Sequence, residues 1–310
     1  MRNRTIVQTL AIAACVGMFM VLLMGVTVTQ TESGRGCGDD WPLCNGEWVP
    51  AYTIESMIEY SHRLISAAVG LVILASTIAV FARVKRKDAR WFAAGALFFT
   101  VLQAGLGAAQ VKNPQSDAIL ALHFGFSLLA LTCTLLTVTS VRAAIRSERG
   151  ESDKPAKPVS PGFRWTVWLT TLYCYAVVYT GAYTSHTESG TGCVGFPLCN
   201  GELVPATLSG ATGIAFTHRT AAYLLFAVVL AVALFARRAY ADRRDVAGGA
   251  TWSLLLVTAQ VASGAALMAL IGSENYVFGT LLHIAIISAL FAVLSGLSIA
   301  VWRAGRRSAD

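Results

Sequence analysis

Four of the five histidines of this 310-residue chain fall inside long apolar segments: His62, His123, His218 and His283. An ionisable side chain in such a segment is expensive to bury and marks a functional site by default. The four form two pairs, 61 residues apart in the first half and 65 apart in the second. Two imidazoles at similar depth on two helices of one bundle can ligate a flat macrocycle from opposite faces. Each pair is therefore a candidate axial set for haem iron. Zinc and copper also take imidazole. Two ligands per pair, with no cysteine or carboxylate clearly completing a tetrahedral set in the second half, favour haem. The fifth histidine, His186, has Gln30 at the matching position of the first half and reads as an interfacial residue at a helix end.

Arg63 and Arg219 each directly follow one of these histidines. Guanidinium pairs well with carboxylate, so both are candidate partners for haem propionates. The plainer alternative is that each snorkels to the membrane interface. Glu59 stands three residues before His62 and shares its helix face. A carboxylate buried there is costly unless it has a partner or a task. It could act as a general acid or base, or stabilise developing positive charge on a substrate. The second half has Ala215 where the first has Glu59, and Ala211 where it has Glu55. A first-turn carboxylate favoured by the helix dipole explains Glu55 better than Glu59. The first half thus reads as the reactive site, and the second as one that holds a cofactor without chemistry on it.

These comparisons rest on an internal repeat with an offset of 156 residues. Thr31-Glu32-Ser33-Gly34 returns as Thr187-Glu188-Ser189-Gly190, and Pro42-Leu43-Cys44-Asn45-Gly46-Glu47 returns as Pro197-Leu198-Cys199-Asn200-Gly201-Glu202, with a one-residue slip between the cysteines. Gln103 and Gln260 are another correspondence. Each repeat carries a cysteine pair in a Gly- and Pro-rich loop, Cys37 with Cys44 and Cys193 with Cys199, and outside the cytoplasm such pairs tend to oxidise. The structural reading is a disulfide staple that holds the loop as a lid. The functional reading, for the first pair, is a redox dithiol, although the Cys-x-x-Cys spacing of an exchanger is absent. Cys15, Cys133 and Cys174 have no repeat partner and read as small apolar residues.

The elements that must position these groups are membrane helices. Hydrophobic residues make up 55% of the chain and charged ones 13%, about half the charge of a soluble domain. Eight apolar runs are long enough to span, near 7–30, 58–82, 91–111, 118–141, 164–184, 213–236, 246–271 and 276–302. The first is not expected to be a cleaved signal, because its end begins the repeat. Of the 24 Lys and Arg, 20 fall in the two tails and the even-numbered loops, which places both termini in the cytoplasm. The net charge of +7 reports this topology rather than a nucleic-acid surface. The expected fold is an all-α polytopic membrane protein of two tandem, pseudo-symmetric four-helix bundles. The N-terminal substrate half is 1–146, a cytoplasmic linker is 147–161, and the C-terminal cofactor half is 162–310. Both halves keep the same orientation, unlike the inverted repeats of many transporters. The histidines then lie toward the outer face of the cell membrane.

Over essentially its whole length the chain resembles the haem A synthase family. The features that carry the resemblance are Glu59-x-x-His62-Arg63, His123, His218-Arg219, His283, the tandem halves, and the cysteine pairs of a Bacillus-type branch. The resemblance implies oxidation of the C8 methyl group of haem O to a formyl group by successive hydroxylations, for terminal oxidases. It implies substrate haem between His62 and His123 with Glu59 as the catalytic carboxylate, and haem b held by His218 and His283. It also implies haem O synthase, the farnesyltransferase, as a partner. An electron acceptor, membrane lipid and further copies of the chain complete the expected partners. The rival functions are a di-haem b-type cytochrome that carries electrons, and a haem transporter or chaperone.

Overall fold

The computed structural model describes residues 2–48, 52–113, 116–151 and 158–306. Among them are eight long helices: α1 (Arg2–Gln30), α2 (Ile54–Arg83), α3 (Lys87–Lys112), α4 (Asp117–Glu148), α5 (Pro161–His186), α6 (Gly210–Ala239), α7 (Arg244–Leu270) and α8 (Tyr276–Arg306). Several begin earlier than the apolar runs suggest. Hydropathy marks the lipid-facing stretch, whereas the helix continues until a capping group stops it. For α2 that group is Thr53, whose Oγ1 accepts the Ser56 N–H at 3.3 Å. For α5 it is Ser160, which caps Phe163 N, followed by Pro161 at the first helical position, where its missing N–H costs nothing.

Seven helices are long and apolar enough to cross a membrane, so the chain is a multi-pass membrane protein. The helix outside that set is α5. It has 26 residues, ample for a bilayer at ~1.5 Å per residue. It also carries Thr166, Thr170, Thr171, Tyr173, Tyr175, Tyr179 and Thr180, which lower its hydropathy.

The chain divides into two compact units, Met1–Ser152 and Asp153–Asp310. The expected linker lies partly outside the described residues, at 152–157. In the first unit α1 packs on α2, α2 on α3, α3 on α4 and α4 back on α1. That ring sets α2 and α4 diagonally across the bundle. The second unit repeats the ring with α5 to α8, which sets α6 and α8 on the diagonal. One end of each unit is closed by apolar packing. In the first unit Val7, Val80, Val84, Ala89, Ala93 and Val141 do this. In the second, Phe163, Val167, Ala233, Val246 and Val301 belong to the matching cluster. The histidines and the disulfide loops occupy the opposite end.

Candidate functional site

Each of the four histidines lies against a glycine on the preceding helix. A Cβ at Gly25 (α1) would stand 3.3 Å from His62 Cε1 (α2), and one at Gly107 (α3) 3.5 Å from His123 Cε1 (α4). In the second unit a Cβ at Gly181 (α5) would stand 2.7 Å from His218 Cε1 and 3.2 Å from its Nε2. A Cβ at Gly264 (α7) would stand 3.3 Å from His283 Cε1. Real Cβ atoms do not approach other atoms as closely as the Gly181 case would require, so glycine is what lets this imidazole sit against its neighbouring helix. Within each unit the two histidines lie in electrostatic range of each other, His62 with His123 and His218 with His283. The sequence-derived pairs are thus brought together within single units.

The ring nitrogens are held differently in the two units. Thr180 Oγ1 lies 3.1 Å from His218 Nδ1 and also donates to Val177 O at 2.8 Å. A threonine hydroxyl has one hydrogen. With that hydrogen on Val177 O, Oγ1 accepts from an Nδ1–H of His218; with it directed at Nδ1, the imidazole accepts and carries its proton on Nε2. Ser263 repeats the arrangement: Oγ donates to Gln260 O at 2.9 Å and lies 2.8 Å from His283 Nδ1. In both cases a hydroxyl that also reaches a backbone carbonyl of its own helix stands beside the histidine Nδ1. His283 Nε2 lies 2.8 Å from Gln260 Nε2, while Gln260 Oε1 is buried without a hydrogen-bond partner among the described residues. In the first unit His62 Nδ1 is likewise buried without a hydrogen-bond partner among the described residues.

Glu59 is buried, 4% exposed. Its Oε2 accepts the backbone N–H of Cys37 at 2.9 Å, and its Oε1 pairs with Arg63 Nη2. Arg63 Nη1 donates to Asp40 O at 2.7 Å and Leu43 O at 2.8 Å. The arginine is thus a clamp between helix and loop. Arg219 does the same, donating through Nη1 to Gly195 O at 2.8 Å and Leu198 O at 2.6 Å. With Ala215 in place of the glutamate, Arg219 Nη2 turns to Cys193 O at 3.0 Å and Met268 Sδ at 3.4 Å. Both cysteine pairs are disulfides, Cys37–Cys44 and Cys193–Cys199. Each loop presses on the first turn of the following helix through a glycine. A Cβ at Gly36 or Gly192 would stand 2.4 Å from the backbone carbon of Glu55 or Ala211. His186 ends α5, and Cys15, Cys133 and Cys174 are free thiols.

A family model for the COX15-CtaA cytochrome oxidase assembly proteins matches residues 51–295. The chain belongs to this family. Its relatives include the "Heme A synthase" of Symbiobacterium thermophilum, 41% identical over 303 residues that cover 97% of both chains. The corresponding protein of Alkalihalophilus pseudofirmus is 38% identical over 94% of this chain and 96% of its own. That of Bacillus licheniformis is 38% identical over 92% of each.

For a chain of the COX15-CtaA family the histidine sets fit haem. Among the described residues no group of three or more His, Cys, Asp or Glu could hold a bare metal ion. Each unit instead offers two imidazoles from diagonal helices. In the second unit both have Nδ1 within hydrogen-bond distance of a hydroxyl, the kind of outer-shell contact a metal-ligating histidine makes. The hydroxyl partners Thr180 and Ser263 were not singled out from sequence. The signal was present: each immediately precedes a histidine-contacting glycine, and the first repeat has Met24 and Leu106 in their places.

Proposed function

We propose that the chain is a haem A synthase, a membrane oxidoreductase that converts the C8 methyl group of haem O to a formyl group. Each of two hydroxylations takes its oxygen from water and releases two protons and two electrons, and the geminal diol then loses water. The electrons leave to a separate acceptor. The first unit would hold substrate haem O through His62 of α2 and His123 of α4. The second unit holds haem b through His218 and His283. Haem b supplies one-electron transfer when bound. The two units form tandem pseudo-symmetric bundles with α5 as the eighth span, both termini cytoplasmic, and both histidine pairs toward the outer face. Haem O synthase supplies the substrate.

The observation that carries this reading is a carboxylate present in only one of two otherwise similar histidine sites. Glu59 is buried one turn from His62, where the second unit has Ala215. Each carboxylate oxygen keeps a second lone-pair site after its bond to Cys37 or Arg63. Glu59 can therefore take a proton from the methyl carbon's hydroxylated forms, or oppose positive charge developing on the ring. Beyond these bonds Arg63 keeps its Nε–H and one Nη2 hydrogen, and Arg219 its Nε–H, and these serve the haem propionates.

Co-expression with a haem O supply, followed by chromatography of the extracted haems, tests the proposal. Haem A or its alcohol intermediate is expected. Haem b and unchanged haem O alone would instead favour the di-haem electron carrier. Glu59→Ala is expected to retain substrate haem yet not oxidise it, and conversion at the wild-type rate would overturn the catalytic assignment.

A further inference from the structure

The two units also differ at the end opposite the histidines, where α3 and α7 begin. Arg86 pairs with Asp88 at 2.8 Å before α3, and Arg243 pairs with Asp245 at 2.6 Å before α7. The same register joins Gln103 with Gln260, and it sets Arg90 and Trp91 of α3 against Ala247 and Gly248 of α7. Arg90 folds back on α2. Its Nε donates to Val84 O at 2.8 Å, its Nη2 to Phe81 O at 3.1 Å, and its guanidinium lies 5.9 Å from the centre of the Phe81 ring. The second unit has nothing larger than a methyl group at either position. It has an open cleft of about 630 Å³, lined by Arg237 from the last turn of α6 and by Arg244, Ala247, Gly248, Thr251 and Trp252 of α7.

Arg244, Gly248, Thr251 and Trp252 recur at helical spacing and so share one face of α7. Glycine weakens a helix relative to alanine. A Cβ at Gly249 would stand 3.2 Å from Leu297 Cδ1, but one at Gly248 would meet no atom within 4 Å. Close packing therefore accounts for Gly249 and not for Gly248, which keeps the cleft open. Arg237 and Arg244 are exposed. Neither has a hydrogen-bond or ion-pair partner among the described residues, Asp245 being taken by Arg243. Further along the same face Trp252 and Leu255 are 62% and 54% exposed. Trp252 lies about 12 Å along the helix from Arg244.

We propose that this cleft binds an anionic phospholipid, with its phosphate on Arg237 and Arg244 and its acyl chains along Trp252 and Leu255. Guanidinium groups from two helices suit a phosphate, and basic pockets between membrane helices hold lipid headgroups. The apolar wall below the arginines matches a lipid and has no use for a free phosphate. Arg237, Arg238, Arg243 and Arg244 outnumber Asp242 and Asp245 around the cleft, so a headgroup of net negative charge is favoured over a zwitterionic one. The cleft stands apart from both histidine pairs and does not depend on their reading as haem ligands.

The test uses the full-length protein, delipidated in detergent and titrated with dioleoylphosphatidylglycerol, with binding read by native mass spectrometry. Phosphatidylglycerol should bind more tightly than phosphatidylcholine. Arg237→Gln and Arg244→Gln should each weaken its binding about fivefold, and together about 30-fold. Gly248→Leu keeps both charges and fills the cleft, and should also weaken binding. Arg238→Gln removes an exposed arginine that does not line the cleft and should leave binding unchanged. A loss in Arg238→Gln equal to that in Arg237→Gln would show a diffuse attraction and overturn the site. Wild-type binding in Gly248→Leu, or equal affinity for the two lipids, would do the same. Displacement of phosphatidylglycerol by excess inorganic phosphate would overturn the lipid as occupant.

Discussion

Glu59 and Arg63 form a buried ion pair whose side chains are 5% and 11% exposed, and the second unit shows what the same arginine does without the glutamate. In Glu59→Ala, Arg63 Nη2 is expected to turn to the Cys37 carbonyl, as Arg219 does to Cys193 O. The residual loss is then the Cys37 N–H, left without its 2.9 Å partner. An unsatisfied buried donor costs about 1–3 kcal/mol. Arg63→Ala is worse. It removes the bonds to Asp40 O and Leu43 O and leaves a buried carboxylate without its counter-charge, a situation that costs about 3–5 kcal/mol. The double variant removes that stranded charge, so it should be more stable than Arg63→Ala although it carries one more substitution. The difference should be about 1–2 kcal/mol, roughly tenfold in the folded-to-unfolded ratio. Unfolding in mixed micelles against increasing dodecyl sulfate, followed by helical circular dichroism, measures all three variants. A double variant no more stable than Arg63→Ala would refute the argument, because the glutamate would then not be a charge that needs its arginine.

Three further outcomes follow from the geometry. Gly181→Ala places a Cβ 2.7 Å from His218 Cε1 and should cost about 1–3 kcal/mol with loss of the low-spin haem spectrum. Gly107→Ala, whose Cβ meets His123 at an ordinary 3.5 Å, should leave the spectrum unchanged. Replacing Cys193 and Cys199 together by serine should destabilise the second unit by about 2–3 kcal/mol, the loop-entropy value for so short a closure, read as a lower dodecyl sulfate midpoint. A green fluorescent protein fused after Asp310 should fluoresce in intact cells, as the proposed topology with cationic loops in the cytoplasm requires. Alkaline phosphatase activity at the same position would reverse the topology.

Much of the helical layout was legible because apolar runs and basic loops are strong one-dimensional signals. The helix starts were less so. The run beginning near 58 belongs to a helix that starts at Ile54, because Thr53 caps it in a stretch too polar to count as a span. The histidine pairs and the cysteine partners were readable from the repeat. The clamp role of Arg63 and Arg219 was not, because their acceptors are main-chain carbonyls, which leave no mark in the sequence. Glu59 stood out because its repeat partner is alanine. That it binds the Cys37 N–H depends on how the loop folds back over the first turns of α2, and no local pattern encodes that distance.

The clamp also bears on how the loops have diverged. Counted back from the second cysteine, Arg63 and Arg219 grip equivalent carbonyls, those of Asp40 and Leu43 in one loop and of Gly195 and Leu198 in the other. The cysteines are seven positions apart in the first loop and six in the second. The inserted residue therefore lies upstream of the gripped carbonyls, between Cys37 and Asp40. A fastening that reads only peptide oxygens is indifferent to side-chain identity and tolerates a change of length beside it. Asp39, Asp40 and Trp41 can thus differ from Val194, Gly195 and Phe196 without loosening either loop from the helix it is fastened to.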